Sequence, residues 1–213
     1  DSWLEGVEED GRVHGYVNPI GAVTGRMTHS SPNMAQVPAS YSPYGGECRS
    51  CWITSKGYKL VGVDASGLEL RMLAHYMNDA DYTNEVINGD VHTANMKAAG
   101  LTNRDQAKTF IYAFLYGAGP SKIGKVVGGS AKAGQQLITK FLSNMPKLKK
   151  LREDVAKWSK DGTIPALDGR RLHIRSEHAA VNTLLQGAGA IICKQWLVHI
   201  TERIRKSGVD AKL

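Results

Sequence analysis

The apolar residues of this chain change their rhythm near Leu68, and that change constrains the fold more than any other feature. Between residues 21 and 46 the sequence is rich in Gly, Ser, Pro, Asn and Thr and has almost no periodic apolar pattern. Long irregular segments of this kind inside a compact domain are usually functional. From Leu68 onward, apolar residues recur at helical spacing, beginning with Leu68, Met72 and the His75/Tyr76 pair and fading at Asn78-Asp79. The spacing predicts further helices over 104–116, 132–143, 146–160 and 177–206. The last of these carries Val181, Leu184, Leu185, Ala188, Ile191, Ile192, Trp196, Ile200 and Ile204 on one face.

Strand signals flank the helical stretch. Val13, Gly15 and Val17 alternate with Arg12, His14 and Tyr16, which predicts a short strand ending before Asn18-Pro19. Cys48 to Thr54 and Lys59 to Asp64 read as two strands around the Ser55-Lys56-Gly57 turn. In the second, Leu60-Val61-Gly62-Val63 is expected to be buried and to deliver Asp64 at its end. Asp168-Gly169, between Ile164–Leu167 and Leu172–Ile174, is a hairpin signal. The expected class is α+β, strands lying toward both ends and helices between.

Lys and Arg number 27 against 20 Asp and Glu, a net charge of +7. A basic surplus suits a polyanionic partner, because each neutralised phosphate releases counterions, and it equally suits simple solubility. No apolar run approaches the ~18 residues that span a bilayer, so no membrane partner is expected. Cys48, Cys51 and Cys193 are an odd number without a secretion signal, as in a reduced intracellular protein. Cys48-x-x-Cys51 could hold zinc only with a second pair, and none lies nearby.

The segment richest in chemistry is Arg104-Asp-Gln-Ala-Lys108-Thr-Phe-Ile-Tyr112-Ala-Phe-Leu-Tyr116-Gly117. Arg104, Lys108, Tyr112 and Tyr116 are four apart, so they climb one helical face at roughly 6 Å per step. Two cations followed by two rings match a nucleoside triphosphate: phosphates, then sugar, then a flat base. Arginine can fork a phosphate, and lysine acts as a compact charge. The plain alternative is a surface helix with a basic stripe. Asp64, at the end of its apolar run before Ala65-Ser66-Gly67-Leu68-Glu69, could hold a hard cation or cap the following helix. Gly119-Pro-Ser-Lys-Ile-Gly124-Lys125-Val126 nearly matches a P-loop. It ends on a valine that offers no hydroxyl and follows a helix instead of a strand, so an NTPase reading is set aside.

Asp64–Arg71, followed about 33 residues later by Arg104–Gly117, resembles motifs A and B of family A (DNA polymerase I-like) DNA polymerases, the bacteriophage type most closely. Supporting stretches come in the same order. Thr24-Gly25-Arg26 with Pro32-Asn33-Met34-Ala35-Gln36-Val37-Pro38 resembles the family's primer-template segment, and Asp90-Val91-His92-Thr93 its D-(I/V)-H-T element. Asp168-Gly169-Arg170 with Asn182 to Gln186 resembles its hairpin and following helix. The resemblance implies deoxynucleotidyl transfer from dNTP to a primer 3′-OH by two Mg²⁺ ions. It implies that Asp64 and the Ala65 carbonyl ligate metal, and that Arg104, Lys108 and His92 bind the triphosphate. Lys108 would also protonate the leaving pyrophosphate, Tyr112 would pack on the nucleotide, and Glu69 would crowd a 2′-hydroxyl. Arg26, Asn33, Gln36, Tyr116, Gly117, Asn182 and Gln186 would meet the template or primer.

The implied architecture is a partial polymerase palm with an inserted helical fingers subdomain. Residues 1–87 are N-terminal palm, 88–162 fingers, and 163–213 the hairpin and helix returning to the palm. The family's motif C, a hairpin bearing V-H-D-E, has no counterpart before Leu213, and the thumb would lie before Asp1. The chain is thus expected to be an incomplete fragment, poorly active or inactive alone, that depends on those segments from the rest of the polymerase. An intracellular location is expected, the host cytoplasm if of phage origin. A single-subunit RNA polymerase piece and a non-catalytic DNA-binding fragment are the competing readings.

Overall fold

The computed structural model describes residues 2–213, which form two compact units, one up to Ser66 and the other from Gly67 to Leu213.

In the first unit, helix α1 (Ser2–Glu5) is followed by an isolated bridge between Val7 and Val13. Strand β1 (Tyr16–Asn18) then pairs antiparallel with β2 (Thr28–Ser30), Val17 opposite His29. The predicted strand at 13–17 is therefore shifted: Val13 belongs to the bridge, and pairing begins at Tyr16. A 3-10 turn at Met34–Gln36 is capped by Asn33, whose Oδ1 accepts from the Ala35 N–H at 3.0 Å.

Two strand expectations fail here. Gly45–Ser50 forms a short helix, α2, where Cys48 to Thr54 was expected to be extended. Gly45 permits that turn, because a Cβ there would stand 1.7 Å from the Ala39 carbonyl oxygen. Glu47 in the first turn and Arg49 in the last also suit the helix dipole. Lys59 to Asp64 forms no strand, and Leu60, Val61 and Val63 are 84%, 80% and 68% exposed instead of buried. A strand exists only by pairing with another, and among the described residues nothing pairs with this one.

The second unit is helical: α3 (Leu68–Met77), α4 (Ala80–Asn88), α5 (Val91–Ala99), α6 (Arg104–Leu115), α7 (Pro120–Val126), α8 (Ala131–Asn144) and α9 (Pro146–Trp158). A hairpin of β3 (Thr163–Pro165) and β4 (Arg171–His173) precedes the long helix α10 (Ala180–Ser207). The starts follow capping chemistry: Asp79, Asp90, Asn103 and Ser130 each accept a backbone N–H from the first turn, and Pro120 and Pro146 open theirs. Helices α4 and α5 carry no long apolar stripe, and periodicity alone did not predict them.

The core is built on Phe110, Phe114 and Phe141. Phe141 meets the other two edge-to-face at centroid distances of 5.1 and 5.5 Å. Leu70, Leu73, Ile111, Ile123, Leu148, Ile164 and Leu184 close around them. Gly124, the P-loop-like glycine, lies inside α7, where a Cβ would stand 2.1 Å from the Ser130 carbonyl oxygen. Its role is close helix packing. In α10, Leu184, Leu185 and Ala188 of the expected apolar face are buried; Val181, Ile191, Ile192, Trp196, Ile200 and Ile204 are only half-buried. No helix among the described residues is long and apolar enough to cross a membrane.

Candidate nucleotide-binding site

Helix α6 begins cleanly because the Asn103 side chain accepts the Gln106 N–H at 2.9 Å. Its buried face, Ala107, Phe110, Ile111, Phe114 and Leu115, anchors it in the core. The opposite face turns Arg104 and Lys108 outward, holds Tyr112 half-buried, and ends on Tyr116, which is 47% exposed.

Arg104 is held by Asp90, Nε to Oδ2 at 2.7 Å and Nη2 to Oδ1 at 2.9 Å. The same carboxylate caps α5, accepting from the His92 and Thr93 N–H groups at 3.1 and 3.3 Å and from the Thr93 hydroxyl at 2.7 Å. These bonds, Arg104 foremost, hold the Asp90 carboxyl well below the usual carboxylate range. The Arg104 guanidinium is pushed up in turn.

His92 sits beside α6, its ring 6.1 Å from that of Tyr112. Its Nδ1 is buried without a hydrogen-bond partner. Burial and then the Arg104 and Lys108 cations lower its pKa, outweighing Asp90, so the ring favours the neutral form. At the far end, the Tyr116 hydroxyl lies 3.5 Å from the Glu69 carboxylate of α3. Burial, with Glu69 and Tyr116 adding to it, raises the Tyr112 phenol pKa.

Six of the expected nucleotide or template residues, Glu69, His92, Arg104, Lys108, Tyr112 and Tyr116, thus gather along one face of α6. Gly117, at φ +75°, turns the chain where a Cβ would stand 2.9 Å from the His178 carbonyl oxygen. Asn182 and Gln186 pair with each other on α10 at 2.9 Å. Asp64, Ala65, Arg26, Asn33 and Gln36 belong to the first unit: Asp64, Arg26, Asn33 and Gln36 are exposed, and Ala65 is half-buried. No group of three or more His, Cys, Asp or Glu that could hold a metal exists among the described residues, Cys48 and Cys51 included.

Sequence reasoning missed two features. One is Asp90 as the partner of Arg104, fourteen residues away. The other is a cleft of about 780 Å³ beside the end of α6, lined by Phe114, Ala118, Ile138, Lys149, Arg152 and His178 among others. There the Arg152 guanidinium lies 5.0 Å over the Phe114 ring.

Cations at one end and rings at the other, with a neutral imidazole between, suit a ligand with several phosphates and a flat base. Along its whole length, residues 1–213, the chain matches the model of DNA polymerase family A, and it belongs to that family. It is 48% identical over 235 aligned positions to the DNA-directed DNA polymerases of Enterobacteria phage T3 and Escherichia phage T7, covering 98% of this chain and 33% of each relative. The corresponding polymerase of Escherichia phage Phieco32 is 37% identical over 184 positions, covering 70% of this chain and 30% of that relative. The chain spans about a third of the length of these curated relatives. Its fold is similar to the POL domain of Pol1 from M. smegmatis, solved with DNA primer-template and dNTP. The TM-score is 0.86 at 24% identity, over 99% of this chain and 41% of that one. The α+β class expected from the sequence is the one observed.

Proposed function

We propose that this chain is the nucleotide-selecting part of a template-directed DNA polymerase, acting in deoxynucleotidyl transfer from dNTP to a primer 3′-OH. The observation that carries the reading is the α6 face, on which Arg104, Lys108, Tyr112 and Tyr116 line up with His92 and Glu69 beside them. Arg104 grips the terminal phosphate and Lys108 the phosphates nearer the sugar, where it also protonates the leaving pyrophosphate. His92 meets the β-phosphate. Tyr112 packs on the sugar and base, and Glu69 crowds the 2′ position. Tyr116 and Gly117 face the templating base. Arg26, Asn33, Gln36, Asn182 and Gln186 serve the primer-template, whose minor-groove acceptors are nearly the same for every pair. The division into palm (1–87 and 163–213) and fingers (88–162) belongs to this reading, as does a site of action inside the host cell.

Family A DNA polymerases are generally metal-dependent. The donors this chain offers are the exposed Asp64 carboxylate and the Ala65 carbonyl, and a hard cation such as Mg²⁺ takes about six oxygen ligands. That set does not by itself fit a pair of ions. Asp64 is therefore read as one contributor to a metal site whose other carboxylate lies outside these residues.

In the intact polymerase, Asp64→Asn should abolish nucleotide addition while primer-template affinity stays within about twofold, because the change removes a metal ligand and no DNA contact. Gel-shift and primer-extension assays on the same preparation check both. Equal loss of the two would mean that Asp64 serves DNA binding, as in a non-catalytic fragment. Incorporation of rNTP as readily as dNTP would remove Glu69 from the sugar gate and favour an RNA-polymerizing reading.

A further inference from the structure

The carboxylate of Asp90 does two jobs. It caps α5 through the His92 and Thr93 N–H groups, and it clamps Arg104 of α6 through both its oxygens. We infer that Asp90 is a positioning residue for nucleotide binding: it fixes Arg104 and His92 in one frame, so that both phosphate-binding side chains are set before the triphosphate arrives. The inference rests on the proposed role of Arg104.

A guanidinium carries five N–H donors. Asp90 occupies Nε–H and one N–H of Nη2, which leaves the edge containing Nη1 to fork a phosphate. Both side chains of the pair are close to half exposed, so its worth to the fold is small. Its effect falls on orientation. Arginine loses much rotameric freedom when immobilised, and a side chain already held loses less on binding. The capping bonds extend the frame to His92, whose own N–H is tied to the Asp90 carboxylate and whose ring lies against Tyr112.

Asparagine at this position separates the two jobs. Its Oδ1 can still cap α5, since Asn is as good a cap as Asp. Its amide, however, turns a donor toward a donor of Arg104, and the fork is lost. The test measures dNTP and dNDP binding, kcat, primer-template affinity and melting temperature for the intact polymerase carrying Asp90→Asn, Arg104→Ala or both. Asp90→Asn is expected to raise the KM for dNTP about tenfold, with kcat, primer-template affinity and melting temperature nearly unchanged. The preference for dNTP over dNDP should shrink as it does in Arg104→Ala. The double variant should be no worse than Arg104→Ala alone, as coupled residues require. The inference is overturned if Asp90→Asn leaves the KM unchanged while Arg104→Ala raises it. It is equally overturned by a fall in KM, which would make Asp90 a competitor of the phosphate, or by additive losses in the double variant. If Arg104→Ala itself leaves dNTP binding intact, the proposed role of Arg104 fails, and the inference with it.

Discussion

His92 shows how one residue can be tuned by its neighbours before any ligand is present. Burial and the Arg104 and Lys108 cations hold its pKa below the ordinary value of 6.5. In the free protein its stability contribution is therefore complete above about pH 6.5 and is lost as the pH falls through the lowered folded value. With His92 at the phosphates as proposed, an incoming triphosphate would reverse the local field and favour the imidazolium. Nucleotide binding should accordingly take up a proton, and dNTP affinity should rise as the pH drops from about 7.5 toward 6. In His92→Asn that rise should shrink to the part owed to the phosphate's own titration. Titrations of nucleotide affinity at several pH values in the two proteins check this, and identical slopes would remove His92 from the phosphate site. The residues of the α6 face were legible in the sequence because i, i+4 spacing fixes a face whatever surrounds the helix. Asp90 was not, since its meeting with Arg104 depends on how α5 packs against α6.

At the scale of elements, the tightest fit is between α7 and α8. A Cβ on Gly134 would stand 2.0 Å from the Pro120 carbonyl oxygen and 2.6 Å from the Gly124 nitrogen, both backbone atoms unable to swing away. Gly134→Ala should destabilise the intact polymerase by about 1–3 kcal/mol, read as a lower denaturation midpoint. Gly119→Ala, where a Cβ meets nothing within 4 Å, should cost less, about 0.5–1 kcal/mol, the loss of a favoured cap at the start of α7. Equal effects would mean that the helix pair relaxes freely. Helices were the more readable elements, because their hydrogen bonds are internal and their caps and periodicity are local. The misread elements were 48–54 and 59–64. An apolar run declares a preference for extended backbone and says nothing about whether a partner strand is there to pair with it.

For the whole molecule, the proposed nucleotide face is well furnished, while the proposed metal chemistry has Asp64 as its carboxylate, with no cluster of metal-binding groups among the described residues. The 213 residues alone should therefore extend a primer at a small fraction of the rate of the intact polymerase, while retaining weak affinity for DNA. Primer extension by the purified chain is the check, and a normal rate would show that it carries a complete metal site. What the sequence by itself determined is the helices α3, α6, α8, α9 and α10 and the ordered cations and rings of α6, since these follow from the spacing of residues a few positions apart. Only the tertiary structure decided that Asp90 clamps Arg104, that Glu69 reaches Tyr116, and that Gly124 packs directly against the Ser130 carbonyl. Those outcomes depend on distances across separate helices, which no local spacing encodes.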